Sequence, residues 1–570
     1  MNKSILYTVS IFFTAMLILS SCSDFFNPTT EDKLKGSDYI SSNTEMYTGF
    51  LGIMTKLQAI GDKEILLTDT RGELLEPTDN STADLISLYN YDSSLQGNSY
   101  ANPAGYYEVV IACNDYLVKM KEYKNNPQVD GDVYKDLVAS TERIKLWTYK
   151  TIGEIYGKAI WFNDPISKVS SIADSTKFTK LDMASLTDTC LNILQNGYEG
   201  ISLNRNIDWI SWLDPDNVTN IANSNYRKWN FMIPPYEGLF AEMCLWKGAA
   251  LDAQHIDATT YYSKASSLLL SALGTYINNS DYSGNSPYWL PCATTPGHYR
   301  TFWDNTQPYP AETVAALIYD YTNNQTNTLL KHFSAESPNK YLLKPSTIGM
   351  ARFEDNTFDP GSADGETRGK CLFSLGSKGY YISKFRPAGS TVRVYPYQDD
   401  VHIYIYRATQ YHMMLAEALN HLQRFKAMNA VLNSGVKTAD YSDTDPEWEG
   451  FTKNWTSSAD WGTRKYPSMG IRGALGLNAR PVKTSVIELG KDSTIRYNDE
   501  AILDETMLEF ACEGKVYPAM NRMAMRYNDL SIVADRVCPK YEGTGKESSV
   551  RSKIMAGGNW VPYTLGIDKW

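Results

Sequence analysis

Arg407-Ala-Thr-Gln-Tyr-His-Met-Met-Leu-Ala-Glu417-Ala-Leu-Asn420 carries an apolar stripe at helical spacing. With its flanks, Ile405, Ala408, His412, Leu415 and Leu419 recur every three or four residues, which predicts a helix from Ile403 to Leu422 with that stripe inward. Phe425 to Leu432 follows after a short break and is the expected partner helix. Ala501 to Arg526 reads as a second helix pair. The chain is therefore read as mostly α.

Working towards the N-terminus, the same pattern recurs. Pro234-Pro235 opens a helix where a missing N–H costs least, running through Leu239, Met243 and Trp246. After Asp257 a partner carries Tyr261, Ala265, Leu268 and Leu269. Two antiparallel helices on a short loop, with Ala249 and Ala265 at their contact, resemble a tetratricopeptide-like hairpin. No clean 34-residue period is present, so the repeats are degenerate. Further helices are expected over residues 38–60, over Gly105–Tyr123 (stripe Tyr107, Ile111, Asp115, Val118), from Val133 to about Tyr156 (Ile144, Trp147, Thr151, Ile155 inward) and over 180–200 (Leu186, Cys190, Ile193, Leu194 inward).

Between the helices lie loops. Thr68–Glu73 and Pro77–Ser81 read as loops, as do residues 202–224. Residues 274–310 form a long loop with Tyr276, Tyr282, Tyr288, Trp289, Tyr299, Trp303 and Tyr309, and loops of that length in a compact body usually carry function. Residues 340–400 and 435–500 look irregular, with short strands expected near Val392–Tyr397.

The first 22 residues have a different character. Lys3 is a short basic region, Ile5 to Leu19 an apolar run, and Leu19-Ser20-Ser21-Cys22 closes it. That is a secretory signal in three parts. Its roughly 15 apolar positions fall short of the ~20 needed to span a bilayer. The cysteine at its end resembles a bacterial lipobox, in which Cys22 would be acylated. Residues 22–36 then form a lipidated tether.

Removing residues 1–21 leaves 549, more than a single core usually supports. The formal charge of −11 is poorly suited to nucleic acid and to holding an acidic membrane, so the lipid must do that work. Tyrosine is in excess, 40 against 18 Phe, and rings with a polar tip suit half-apolar, half-hydroxylated ligands such as sugars. Cys22 apart, the seven cysteines are scattered and odd in number, without a C-x-x-C pair. The six His are not spaced for metal, so neither a disulfide framework nor a metal site is expected. No phosphate-binding glycine loop and no nucleophile elbow is present. Glu505, Glu509 and Glu513, four apart, would share one helical face. They read either as a catalytic carboxylate cluster or, more simply, as a structural row paired with bases such as Arg522 or Arg526.

The ordered blocks resemble the SusD/RagB family of outer-membrane lipoproteins from Bacteroidetes-type bacteria. The blocks are Cys22-Ser-Asp-Phe-Phe-Asn-Pro, Tyr106-Tyr107 with Asn114 and Leu117, Arg143 to Tyr156 leading to Asp164-Pro165, Arg407 to Asn420, and Glu505, Glu509-Phe and Glu513-Gly514. Thr506, Val516 and Ala519 depart from the family pattern and mark a divergent branch. The resemblance implies a SusD-like fold, with an N-terminal region (37–310) and a C-terminal RagB/SusD region (311–570) packed as one body. It implies a surface-exposed, lipid-anchored outer-membrane protein that captures an oligosaccharide and delivers it to a TonB-dependent, SusC-like transporter barrel, with no cofactor and no catalysis. Arg71, Tyr91, Tyr100, Trp289, Tyr299 and Trp303, in aromatic or amide-rich loops, are the candidate ligand-binding residues. A peptide ligand, a surface glycoside hydrolase and a purely structural transporter subunit stay open as other readings.

Overall fold

Helix α1 (Asn43–Gln58) buries Met46, Phe50, Ile53, Met54 and Leu57, spaced three or four apart, and so presents one apolar stripe. The computed structural model describes residues 43–125, 130–165, 178–206, 231–277, 312–319, 324–354, 367–385, 401–457, 470–475 and 477–562. Its helices continue as α2 (Gly61–Arg71), α3 (Ala104–Tyr123), α4 (Gly131–Tyr156), α5 (Met183–Asn196), α6 (Tyr236–Asp252) and α7 (Thr259–Ile277). The C-terminal half supplies α8 (Ala408–His421), α9 (Phe425–Leu432), α10 (Lys491–Phe510) and α11 (Val516–Tyr527), with shorter helices between and after them.

Helix ends follow local chemistry. Asp130 caps α4 by accepting from the N–H groups of Asp132 and Val133, and Gly157 ends it in the left-handed region at φ 70°. Asp182 caps α5 through Ser185 N–H. Pro235 precedes α6 as expected. Every residue of α4 from Leu137 to Tyr156 is buried, so α4 is a central helix rather than one with a single buried face.

Successive helices pack on one another: α6 on α7, α7 on α8 and α8 on α9. Ala249 and Ala265 are fully buried, as the hairpin requires. Close approach also needs Gly248, where a Cβ would sit 2.6 Å from the Tyr262 ring. α11 packs on α6 and α10 on α8, so helices from before residue 310 and after residue 311 share one interior. The strands form two-stranded pieces only, among the described residues.

Four expectations need correction. Ile403–Arg407 is a strand, antiparallel to Thr313–Leu317, and α8 starts at Ala408. Both strands are buried throughout, so Ile405 satisfied a helical pattern by being inside, not by being helical. Thr68 to Arg71 belongs to α2, because its polar residues face inward to partners instead of water. The buried stripe of α3 runs through Tyr106, Val110, Cys113 and Leu117; Asp115 is exposed. Ile193 is only half-buried on α5. The expected strands near Val392–Tyr397 lie outside the described residues.

Candidate functional site

Of the six predicted ligand residues, Trp289, Tyr299 and Trp303 lie outside the described residues, as does the anchor Cys22. Arg71, the last residue of α2, has no exposed surface. Its Nη2 donates to the carbonyls of Gly558 (2.5 Å) and Trp560 (3.2 Å), and its guanidinium lies 3.8 Å over the Tyr91 ring. Tyr91 is also buried, and its hydroxyl donates to the Arg71 carbonyl at 2.5 Å and pairs with Tyr517. These two residues hold the C-terminal segment against α2. Both side chains are committed to this internal contact.

Tyr100 is half-buried, with its hydroxyl 2.9 Å from His332 Nε2. Burial holds His332 below its ordinary range, so the ring is neutral at pH 7. Its Nδ1–H donates to the Thr328 carbonyl at 2.7 Å, which leaves Nε2 to accept from Tyr100. Tyr100 is the one described candidate with surface left to offer.

The glutamate row is structural. Glu505 and Glu509 lie on α10, but the helix ends at Phe510 and Cys512 turns left-handed at φ 63°, so Glu513 reaches inward from a turn. Glu505 receives Arg368, Arg472 and Arg480, each at 2.7 Å. Arg407 contacts Glu312 (2.9 Å), Glu509 (2.7 Å) and Glu513 (2.9 Å), while Lys384 meets Glu513 at 2.6 Å. All nine side chains lie within the interior or at its edge. Arg522 and Arg526 instead grip Glu417 of α8, and Arg526 also grips Asp499 of α10. Burial alone would raise these carboxylates. Guanidiniums outweigh it at Glu505, which they hold well below the usual range, and at Glu417, held at about 2; at Asp499 His421 and Arg526 together do the same. A carboxylate held ionised by several cations cannot serve as a general acid at neutral pH.

These shifts fix an expected pH dependence. Glu417, Asp499 and Glu505 have folded values below their unfolded ones, so their stabilisation is complete above about pH 4.5 and is lost as pH falls through the folded values. Asp69 and Glu154 are pushed the other way, to about 7, by burial. They cost stability at neutral pH and release it as they protonate. Buried His332 and His412, held below the ordinary histidine value, oppose that gain between pH 7 and 5, so the clear signature is a steep fall in melting temperature below about pH 4. A scan from pH 3 to 8 checks this; a flat profile contradicts it.

Two grooves flank α7. One, of about 740 Å³, lies at the α6–α7 turn, where His421 stacks on Tyr262 at 4.4 Å. His421 also meets Asp499 at 3.0 Å and Asp252 at 3.4 Å. Burial and Arg526 oppose its protonation, but the two carboxylates prevail and hold it above the ordinary histidine value. The other groove, of about 800 Å³, runs between α7 and the Pro446–Trp455 segment, and seven of its fifteen lining residues are Ser or Thr. Sequence reading missed it. A Ser or Thr at every fourth position of the predicted helix (263, 267, 271, 275) was the available signal.

Among the described residues no helix is long and apolar enough to cross a membrane, and no group of His, Cys, Asp and Glu is arranged to hold a metal ion. The six described cysteines are free and buried.

No family model and no curated protein sequence matches this chain. Solved structures do. A SusD superfamily protein from Bacteroides vulgatus superposes with a TM-score of 0.57 at 12% identity, over 91% of this chain and 95% of that one. A SusD homologue from Bacteroides thetaiotaomicron gives 0.57 at 11% identity, over 93% and 95%. A laminarin-binding SusD-like protein gives 0.54 at 13% identity, over 89% and 96%. The chain has the SusD-like fold, as its sequence blocks implied.

Proposed function

We propose that this protein is a lipid-anchored, cell-surface nutrient-binding protein that captures an oligosaccharide and passes it to a TonB-dependent outer-membrane transporter. The observation that carries this reading is the fold shared over about nine-tenths of both chains with a protein that binds laminarin. The tyrosine excess suits the same ligand class. The ion-paired glutamates favour binding without turnover. In this reading acylated Cys22 keeps the body at the surface, and the tether through residue 36 lets it swing over the barrel.

The experiment is a cell-surface assay. Cells carrying the wild-type chain should retain a fluorescent oligosaccharide, and its detergent extract should co-purify with a barrel protein. Cys22→Ala should abolish surface retention, since acyl chains contribute roughly 0.8 kcal/mol per buried CH₂. The released protein should still bind sugar. Retention of Cys22→Ala at the surface would discard the anchor.

A further inference from the structure

We propose that the groove between α7 and the Pro446–Trp455 segment binds a short stretch of neutral oligosaccharide. This rests on the carbohydrate reading and places a site for it. The volume of about 800 Å³ falls within the range of small-ligand sites. Ser263, Ser267, Ser271 and Thr275 lie four apart on one exposed face of α7. Each hydroxyl both donates and accepts, which matches the alternating demands of sugar hydroxyls.

A second, independent observation points to a ligand. Ser266 also lines the groove and is only 2% exposed, yet its Oγ has no hydrogen-bond partner. Thr275 on the same helix shows the usual remedy, donating to the Ser271 carbonyl one turn back at 3.1 Å. Ser266 does not take it. A buried hydroxyl without a partner is costly, and a ligand hydroxyl entering the groove would supply one.

Charge selects a neutral ligand. Arg424 is the cation of the lining, and its Nε and Nη2 already donate to the carbonyls of Glu447 and Glu449. The Glu449 side chain stands on the same rim, so the groove offers no surplus positive charge to a uronate or sialate.

The test titrates the purified full chain with laminari-, cello-, malto-, manno- and xylo-hexaose, an oligogalacturonate and a mixed tripeptide set. Ser267→Trp fills the groove from an exposed position and should weaken hexaose binding at least about tenfold, by excluding the ligand. Ser266→Ala removes one hydroxyl and should weaken it about fivefold, the worth of one hydrogen bond. Both should melt like the wild type, and Ser266→Ala decides the question if Ser267→Trp does not fold. Wild-type hexaose binding that both variants retain at full strength overturns this site and leaves the carbohydrate reading standing. Binding of the uronate or peptides alone, or of no hexaose, overturns both.

Discussion

Arg407→Met will lower the melting temperature by about 3–5 °C, the largest effect expected from any single substitution in this chain. Arg407 has no exposed surface. Its guanidinium serves Glu312, Glu509 and Glu513, donates to the Glu509 carbonyl at 2.8 Å and lies 4.4 Å over the Phe510 ring. Methionine fills similar space, so the cost is electrostatic. Three carboxylates lose a shared cation in a medium that cannot replace it with water. Removing one partner of a buried pair costs ~3–5 kcal/mol, and with ~2.1 cal/mol/K of unfolding entropy per residue a chain of this length loses about 1 °C per kcal/mol. Arg407→Lys should recover part of the loss, because it restores the charge without the fork that reaches three acceptors. Thermal denaturation followed by circular dichroism checks both variants. An Arg407→Met protein as stable as the wild type would show the cluster to be dispensable.

Glu505→Gln comes second. The amide keeps the shape but removes the charge that three guanidiniums face, at a cost of ~3 kcal/mol. Its pH signature separates it from a packing defect. The folded carboxyl lies below its unfolded value, so the wild type draws stability from Glu505 above about pH 4.5 and loses it on acidification. The deficit of Glu505→Gln should therefore be large at pH 7 and shrink towards pH 3. A deficit constant across that range would mean the charge contributes nothing and the loss lies elsewhere.

The same cluster shows what the sequence could and could not disclose. The spacing of Glu505, Glu509 and Glu513 exposed a carboxylate row, and the bland reading of ion pairing was right. Its partners were misassigned. Arg522 and Arg526 are near in sequence, but Arg368, Arg472 and Arg480 arrive from distant segments, which only the fold brings together. The row was also shorter than it looked, since nothing in Ala511-Cys512 announces a left-handed residue after Phe510.

Helix α6 and its partner α7 were legible because a proline pair, a short loop and one-sided apolar spacing all agreed. The strand Ile403–Arg407 was not, because a fully buried strand has no polar face to alternate with. In α2, Asp69 and Arg71 made a helix read as a loop; polar residues advertise solvent unless their buried partners are known. The burial of Arg71 and Tyr91 was illegible for the same reason: each is the other's partner. The hydroxyl stripe of α7 was visible in the sequence, but it acquires meaning only beside a groove and an unpartnered Ser266.

This SusD-like body is proposed to bind sugar without cutting it. The direct measurement is isothermal titration of the detergent-purified chain with laminari-, cello-, malto-, manno- and xylo-hexaose, followed by analysis of each mixture for cleavage. Saturable binding of at least one hexaose, recovered at full length, is the expected result. Shortened products, or binding confined to peptides, would contradict it.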